Sequence, residues 1–119
     1  ARVMQALLNV VRNAAQIMTG LHPTQSPHIT IKTRIARQVL LQHKQHRMAV
    51  VVTVTDNGPG VPETLKDRIF HPLVTGRDGG TGLGLSLAQD FIQQHGGVIE
   101  FESRPGHTEF RLQLPLEPV

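Results

Sequence analysis

The run Ala49–Thr55 constrains this chain more than any other segment, because Val50, Val51, Val52 and Val54 leave almost no polar interruption. A strand so evenly apolar belongs at the centre of a sheet, covered on both faces. Asp56-Asn57-Gly58-Pro59-Gly60 follows at once, so a carboxylate and two glycines stand at the end of the best-protected strand. A second glycine-punctuated segment, Gly80-Thr81-Gly82-Leu83-Gly84-Leu85, leads into a helical pattern.

The other elements can be placed around that strand. Val3, Leu7, Val10, Val11, Ala14, Ile17 and Met18 recur at helical spacing, which predicts an amphipathic helix over residues 3–18 stopped by Gly20 and Pro23. Gln5, Asn9, Arg12, Asn13 and Gln16 fall on its polar face. Alternating apolar residues predict strands over His28–Leu41, Val98–Ser103 and Thr108–Leu114. The polar stretch Gln42–Arg47 reads as a hairpin loop, and Arg104-Pro105-Gly106-His107 places Pro then Gly where a type II turn favours them. A second long helix is expected over Leu83–His95, ended by Gly96-Gly97, and a short helical turn over Glu63–Phe70. The glycine-rich stretch around Pro72–Thr81 has little hydrophobic pattern and reads as a mobile lid. Helices laid over one antiparallel-rich sheet make an α+β, two-layer α/β sandwich, with all 119 residues in one domain.

Composition removes several classes of function. No apolar run approaches the roughly 20 residues of a membrane span, and the first residues lack a secretory apolar segment. The absence of cysteine excludes disulfides and thiolate metal sites; both features point to a cytoplasmic setting. The net charge of +3 invites a nucleic-acid partner, but its source is Lys32, Arg34, Arg37, Lys44 and Arg47 in the expected hairpin. Stacking platforms are scarce, with four Phe and neither Trp nor Tyr, so nucleic acid is not expected.

Three constellations carry chemistry. Asn9 and Asn13 stand four apart and project from one helical face. A neutral amide oxygen suits Mg²⁺ when phosphates supply the negative charge. Asp56, an acceptor when ionised, can take the exocyclic amine of adenine, and Gly58 and Gly60 allow the backbone close to a flat base. Gly80, Gly82 and Gly84 lead into a helix whose free N–H groups favour phosphate. Neither a P-loop nor the dinucleotide fingerprint fits that spacing. His43 and His46 are close in sequence, but without further ligands they read as solvated loop residues.

In order and spacing, N-x-x-x-N, D-x-G-x-G, Phe70-His71-Pro72-Leu73 and G-T-G-L-G-L resemble the N, G1, F and G2 boxes of the GHKL (Bergerat-fold) ATPases, in their histidine-kinase branch. The resemblance covers nearly the whole chain and implies a mixed, mostly antiparallel sheet covered by helices on one face. It implies an ATP-binding catalytic domain of a sensor histidine kinase, with ATP and Mg²⁺ as cofactors. Asn13 would be the Mg²⁺ ligand, and Asn9 would assist at the phosphates. Asp56 would take the adenine amine, Gly58 and Gly60 would shape the base pocket, and Thr81, Gly82, Leu83 and Gly84 would lie under the phosphates. Phe70 would anchor the lid. Many relatives carry Lys where Gln16 stands here, so Arg77 in the lid is the candidate for positive charge at the γ-phosphate. The third glycine box departs from its usual Gly-x-Gly-Thr at Gly106-His107-Thr108, which leaves Gly106 without a defined role.

Gyrase-type relatives place a glutamate base where Asn9 stands, and an amide cannot activate water, so self-contained hydrolysis is disfavoured. Phosphoryl transfer to a docked nucleophile needs positioning and charge stabilisation instead. None of the seven histidines is followed by an acidic residue, as the acceptor histidine of this group typically is. That acceptor and its dimerisation domain are expected N-terminal to Ala1. Leu8–Ala14, Pro72–Arg77, Arg104–Phe110 and the basic hairpin resemble the nitrogen-regulation branch of these kinases. The resemblance therefore implies a response regulator and a PII-type signalling protein as partners. The alternatives are a non-catalytic, partner-binding module and a hydrolytic GHKL ATPase.

Overall fold

The computed structural model describes residues 2–17, 26–71 and 84–116. Its elements are α1 (Arg2–Ile17), β1 (Ile29–Leu41), β2 (Lys44–Asp56), a short 3-10 helix (Glu63–Arg68), α2 (Gly84–Gln94), β3 (Val98–Arg104) and β4 (His107–Pro115). The strands form one sheet in the order β1-β2-β4-β3. Every described pairing is antiparallel, a narrower result than the mixed sheet the resemblance implies.

Register fixes which residues meet the helices. Val54, Val52 and Val50 of β2 stand opposite Phe110, Leu112 and Leu114 of β4. Phe110 and Leu112 in turn face Phe101 and Ile99 of β3. These side chains share one face of the sheet, and Ala6, Val10 and Ala14 of α1 and Ala88 and Ile92 of α2 close over them. Small residues at Ala6, Ala14 and Ala88, all fully buried, are what allow two helices to lie close together on one sheet.

The opposite face carries Lys32, Arg34, Thr53, Thr55, Glu109, Arg111, Gln113, Glu100 and Glu102 by the same register. Val51 also lies there and is only 1 % exposed, flanked by Arg34 and Gln113. β2 is thus central, as its composition predicts, but helices cover one face only. Long polar neighbours flank the other.

The hairpin between β1 and β2 departs from expectation. Its loop is two residues, Gln42 and His43, and Lys44–Arg47 belong to the strand. Both turn residues are left-handed (φ 51° and 64°), as a two-residue turn of type I′ requires. Such a conformation costs a non-glycine residue about 1–2 kcal/mol. The Gln42 side chain offsets it by donating to the carbonyls of Gln93 (3.1 Å) and Gly97 (2.7 Å) at the end of α2. The register that this turn sets places His46 inside the sheet, 6 % exposed, which corrects its reading as a solvated loop residue.

α2 ends as its glycines predict. Gly96 has φ 80°, its N–H donates to Gln93 O, and Gly97 N–H donates to Ile92 O, the paired bonds of a Schellman motif. A Cβ on Gly97 would lie 2.2 Å from Gln113 O, so no larger residue fits between α2 and β4. The type II turn expected at 104–107 is matched by φ 86° at Gly106.

Candidate nucleotide site

Asp56 is the last residue of β2, paired with Ile29 on one side and Thr108 on the other. Central placement buries it to 3 % exposure. One carboxylate oxygen accepts the N–H of Gly58 at 2.9 Å. The other has no hydrogen bond among the described residues and is not sealed from solvent. Burial pushes the carboxyl pKa above its ordinary value, and the Gly58 N–H and the charge of His107 pull against that rise. An acceptor that is buried, oriented and half-satisfied is suited to a neutral N–H donor such as an amino group on a base.

The loop after Asp56 is clamped from two sides. Asn57 donates to Ser26 O (2.8 Å) and accepts from the His28 N–H (2.8 Å), which ties it to the start of β1. Gly58 O accepts the N–H of Gly106 at 2.9 Å, which ties it to the β3–β4 turn. Gly60 has φ 88°, and a Cβ there would come within 2.9 Å of the Arg104 carbonyl. Gly60 is therefore required first by backbone contact with β3–β4, whatever approaches it from outside, while Gly58 takes part through its main-chain N–H and C=O. This also supplies Gly106 with the role its sequence left open.

Thr108 completes this end of the site, although sequence reasoning did not select it. It is 2 % exposed and lies opposite Asp56 in the ladder. Its hydroxyl bonds Ser103 Oγ (2.7 Å), and that oxygen accepts the N–H of Val61 (2.7 Å). The signal was the Gly-His-Thr of the third glycine box, read as a departure rather than as a threonine beside the carboxylate.

Asn9 and Asn13 lie on α1, and the two differ. Asn9 is 9 % exposed and its Oδ1 accepts from Gln5 Nε2 at 3.0 Å. A Cβ on Gly84 would lie 4.0 Å from Asn9 Cβ, so the first residue of α2 sits against this asparagine. With its oxygen engaged, Asn9 presents its amide N–H₂ as a donor, the polarity a phosphate needs. Asn13 is partly exposed and has no hydrogen bond among the described residues, so its oxygen is available to a cation. Asn13, Asn9 and the start of α2 fit Mg²⁺ with phosphates; Asp56 and Thr108 fit a base.

Phe70 packs edge-on against Phe101 (5.9 Å, 77°) and Phe110 (6.3 Å, 87°), which are themselves stacked at 5.7 Å. These geometries are the favourable ones for aromatic pairs and fix the chain at Phe70. Arg77, Thr81, Gly82, Leu83 and the lid around Pro72–Thr81 lie outside the described residues.

Comparison with known proteins bears on the family and the fold. Residues 1–118 match the family described as histidine kinase-, DNA gyrase B-, and HSP90-like ATPase. The sensory histidine kinase/phosphatase NtrB of Salmonella typhimurium is 51 % identical over 115 residues, covering 97 % of this chain and 32 % of that protein. NtrB of Rhodobacter capsulatus is 37 % identical over 122 residues, with 98 % and 32 % covered. The chain thus spans about a third of the length of these relatives. Among solved structures, the nucleotide-free catalytic domain of histidine kinase ThkA superposes with a TM-score of 0.73 at 33 % identity, covering 96 % of this chain and 66 % of that one. The chain belongs to the histidine kinase-, DNA gyrase B-, and HSP90-like ATPase family and, within it, stands with the catalytic domains of sensor histidine kinases of the NtrB type.

Proposed function

We propose that this domain binds Mg-ATP between α1, the start of α2 and the Asp56 loop, and delivers the γ-phosphoryl group to a histidine on its own dimerisation domain. The observation that carries the reading is Asp56, buried at the end of the central strand with one oxygen held by Gly58 and the other open. Asp56 accepts the adenine amine, and guanine, with a carbonyl there, is repelled. Asn9 donates to phosphate oxygens, Asn13 holds the cation, and Thr81–Gly84 lie under the phosphates, with Arg77 supplying charge at the γ-phosphate. Mg²⁺, when bound, neutralises charge on the phosphate oxygens.

In the transfer, the bond from the γ-phosphorus to its bridging oxygen breaks and a bond to the imidazole nitrogen of the acceptor forms. ADP leaves with the electron pair, and the imidazole proton is lost. No strong base is needed from this domain, in keeping with an amide at Asn9. The phosphoryl group then passes to an aspartate on a response regulator in nitrogen regulation, with a PII-type signalling protein favouring the phosphatase output. The setting is cytoplasmic; among the described residues no helix is long and apolar enough to cross a membrane.

Calorimetry with ATP and GTP, with and without Mg²⁺, tests the pocket. Mixing the domain and labelled ATP with a domain bearing the acceptor histidine tests the transfer. Selective ATP binding followed by label on the acceptor is expected. Equal binding of ATP and GTP removes the adenine role of Asp56, and no label at saturating ATP removes the kinase reading.

A further inference from the structure

The β1–β2 hairpin is built unlike the rest of the molecule. Residues 26–55 hold Lys32, Arg34, Arg37, Lys44 and Arg47 and no Asp or Glu. The chain has twelve Lys and Arg against nine Asp and Glu, so the remainder carries seven against nine and is net acidic. Among the described residues none of the five hairpin cations has an ion-pair or side-chain hydrogen-bond partner. Arg111, by contrast, is paired with Glu109 at 2.6 Å.

β1 is also an open edge. It runs 13 residues with β2 on one side and no described strand on the other, so among the described residues its outward N–H and C=O groups have no strand partner. The opposite edge, β3, is seven residues long and partly covered, with Lys66 Nζ on Ser103 O at 2.7 Å. Along β1 two kinds of side chain alternate. Ile31 and Ile35 point to the helix side of the sheet yet are 49 % and 52 % exposed, beyond the reach of α1 and α2. Lys32 and Arg34 point to the other side. Further along, Gln38 is left-handed (φ 54°), and Arg37, Gln38, Arg47, Met48 and Leu116 line an open cavity of about 400 Å³.

We propose that the free edge of β1 is a docking strand for an extended acidic segment of a partner protein, which adds to the sheet along Ile31–Ile35 and seats a carboxylate between Arg37 and Arg47. Strand addition satisfies the edge groups, and alternate side chains of the incoming segment read the two faces. Apolar residues continue the surface of Ile31 and Ile35, and acidic residues meet Lys32 and Arg34. A flat lipid surface cannot meet both sets, since they lie on opposite faces. A nucleic acid would find the charge but no Phe, Tyr or Trp in residues 26–55 on which to stack.

The test titrates this chain, without nucleotide, with a ten-residue peptide alternating valine and glutamate and with a matched peptide alternating valine and lysine. The glutamate peptide is expected to bind at least about tenfold more tightly, one desolvated charge contact being of that size. Amide exchange should slow along residues 30–36. Lys32→Glu with Arg34→Glu should weaken binding about tenfold or more, and Arg37→Gln with Arg47→Gln should do so separately. These positions are exposed, and unchanged circular dichroism shows that the variants fold. Absence of binding, equal binding of both peptides, indifference to charge reversal, or protection elsewhere would each overturn the proposal. So would tighter binding to phosphatidylserine vesicles or duplex DNA. Because nucleotide is absent, the outcome is independent of whether Asp56 takes adenine.

Discussion

The sheet consists of two hairpins with two-residue turns, and they follow opposite rules. In β3–β4 the buried and half-buried residues of β4 alternate along its whole length, and the cation Arg111 is paired. Its turn is bolted to the Asp56 loop through Gly106 N–H and the close approach of Gly60 to Arg104. In β1–β2 the outer strand is exposed almost throughout, its charges have no ion-pair partner among the described residues, and its turn holds two left-handed non-glycine residues. One hairpin is finished by its own contacts and positions a site. The other is finished only at its two ends, by Asn57 at one and Gln42 at the other. A fold of this size satisfies its polar groups where geometry must be fixed, and an open edge is affordable where it need not be.

The largest effect should come from the finished side. Gly97→Ala drives a Cβ against Gln113 O, Ile92 and Leu114, and a backbone carbonyl cannot step aside. A loss of about 3 kcal/mol is expected, at the upper end of overpacking costs, read from the urea midpoint. An unchanged midpoint would mean that β3–β4 and α2 are more loosely joined than the comparison holds.

Asp56→Asn comes next and acts on both binding and folding, with opposite signs. Losing a charged acceptor for the adenine amine should weaken ATP by about 1.5–3 kcal/mol, roughly 10- to 100-fold, and leave inorganic triphosphate unaffected. The same residue predicts a pH dependence. Its folded-state pKa lies above the ordinary value of 3.8, so the native chain holds that proton more tightly than the unfolded one. Native stability is therefore penalised above the raised pKa, and the penalty is relieved as pH falls through it. The stability advantage of Asp56→Asn over wild type should be present at neutral pH and shrink on acidification. ATP affinity, which needs the ionised acceptor, should fall over the same interval. Calorimetry and urea titration across that interval check both signs.

What the sequence could and could not say follows from the range of the forces involved. β2 was readable because four valines leave one option, and the end of α2 because Gly96-Gly97 admits few others. Asp56 at a strand end was equally local. The short hairpin turn was missed because Gln42 and His43 are not turn-forming residues; they are held left-handed by a contact 51 residues away in sequence, Gln42 to Gln93. Asn9 was legible as a candidate from its spacing with Asn13, but its burial against the start of α2 was not. Thr108 became a site residue only through its register with Asp56. Each miss depends on a partner distant in the chain.

Gln42 allows the hairpin turn to be probed at smaller magnitude. Gln42→Ala removes both bonds to the end of α2 and keeps the left-handed strain, so a loss of about 1–2 kcal/mol is expected. Gln42→Gly loses the same bonds but relieves the strain, and should recover about 1 kcal/mol of that loss. Equal losses in the two variants would show that the strain is not borne at this position.

The smallest effect is the most informative about the contrast between hairpins. Arg111→Gln should lower stability by at most about 1 kcal/mol, because its partners Glu109 and Glu102 lie at a partly solvated surface. Raised salt should shrink that loss by screening the same pairs. Lys32→Gln and Arg34→Gln break no pair, so they should leave the midpoint where it is or raise it slightly by reducing repulsion among five like charges. The sign separates the hairpins even where the magnitude is small. If neutralising the β1 cations destabilised the fold as neutralising Arg111 does, those cations would be working inside the domain, and the edge would not be free for anything outside it.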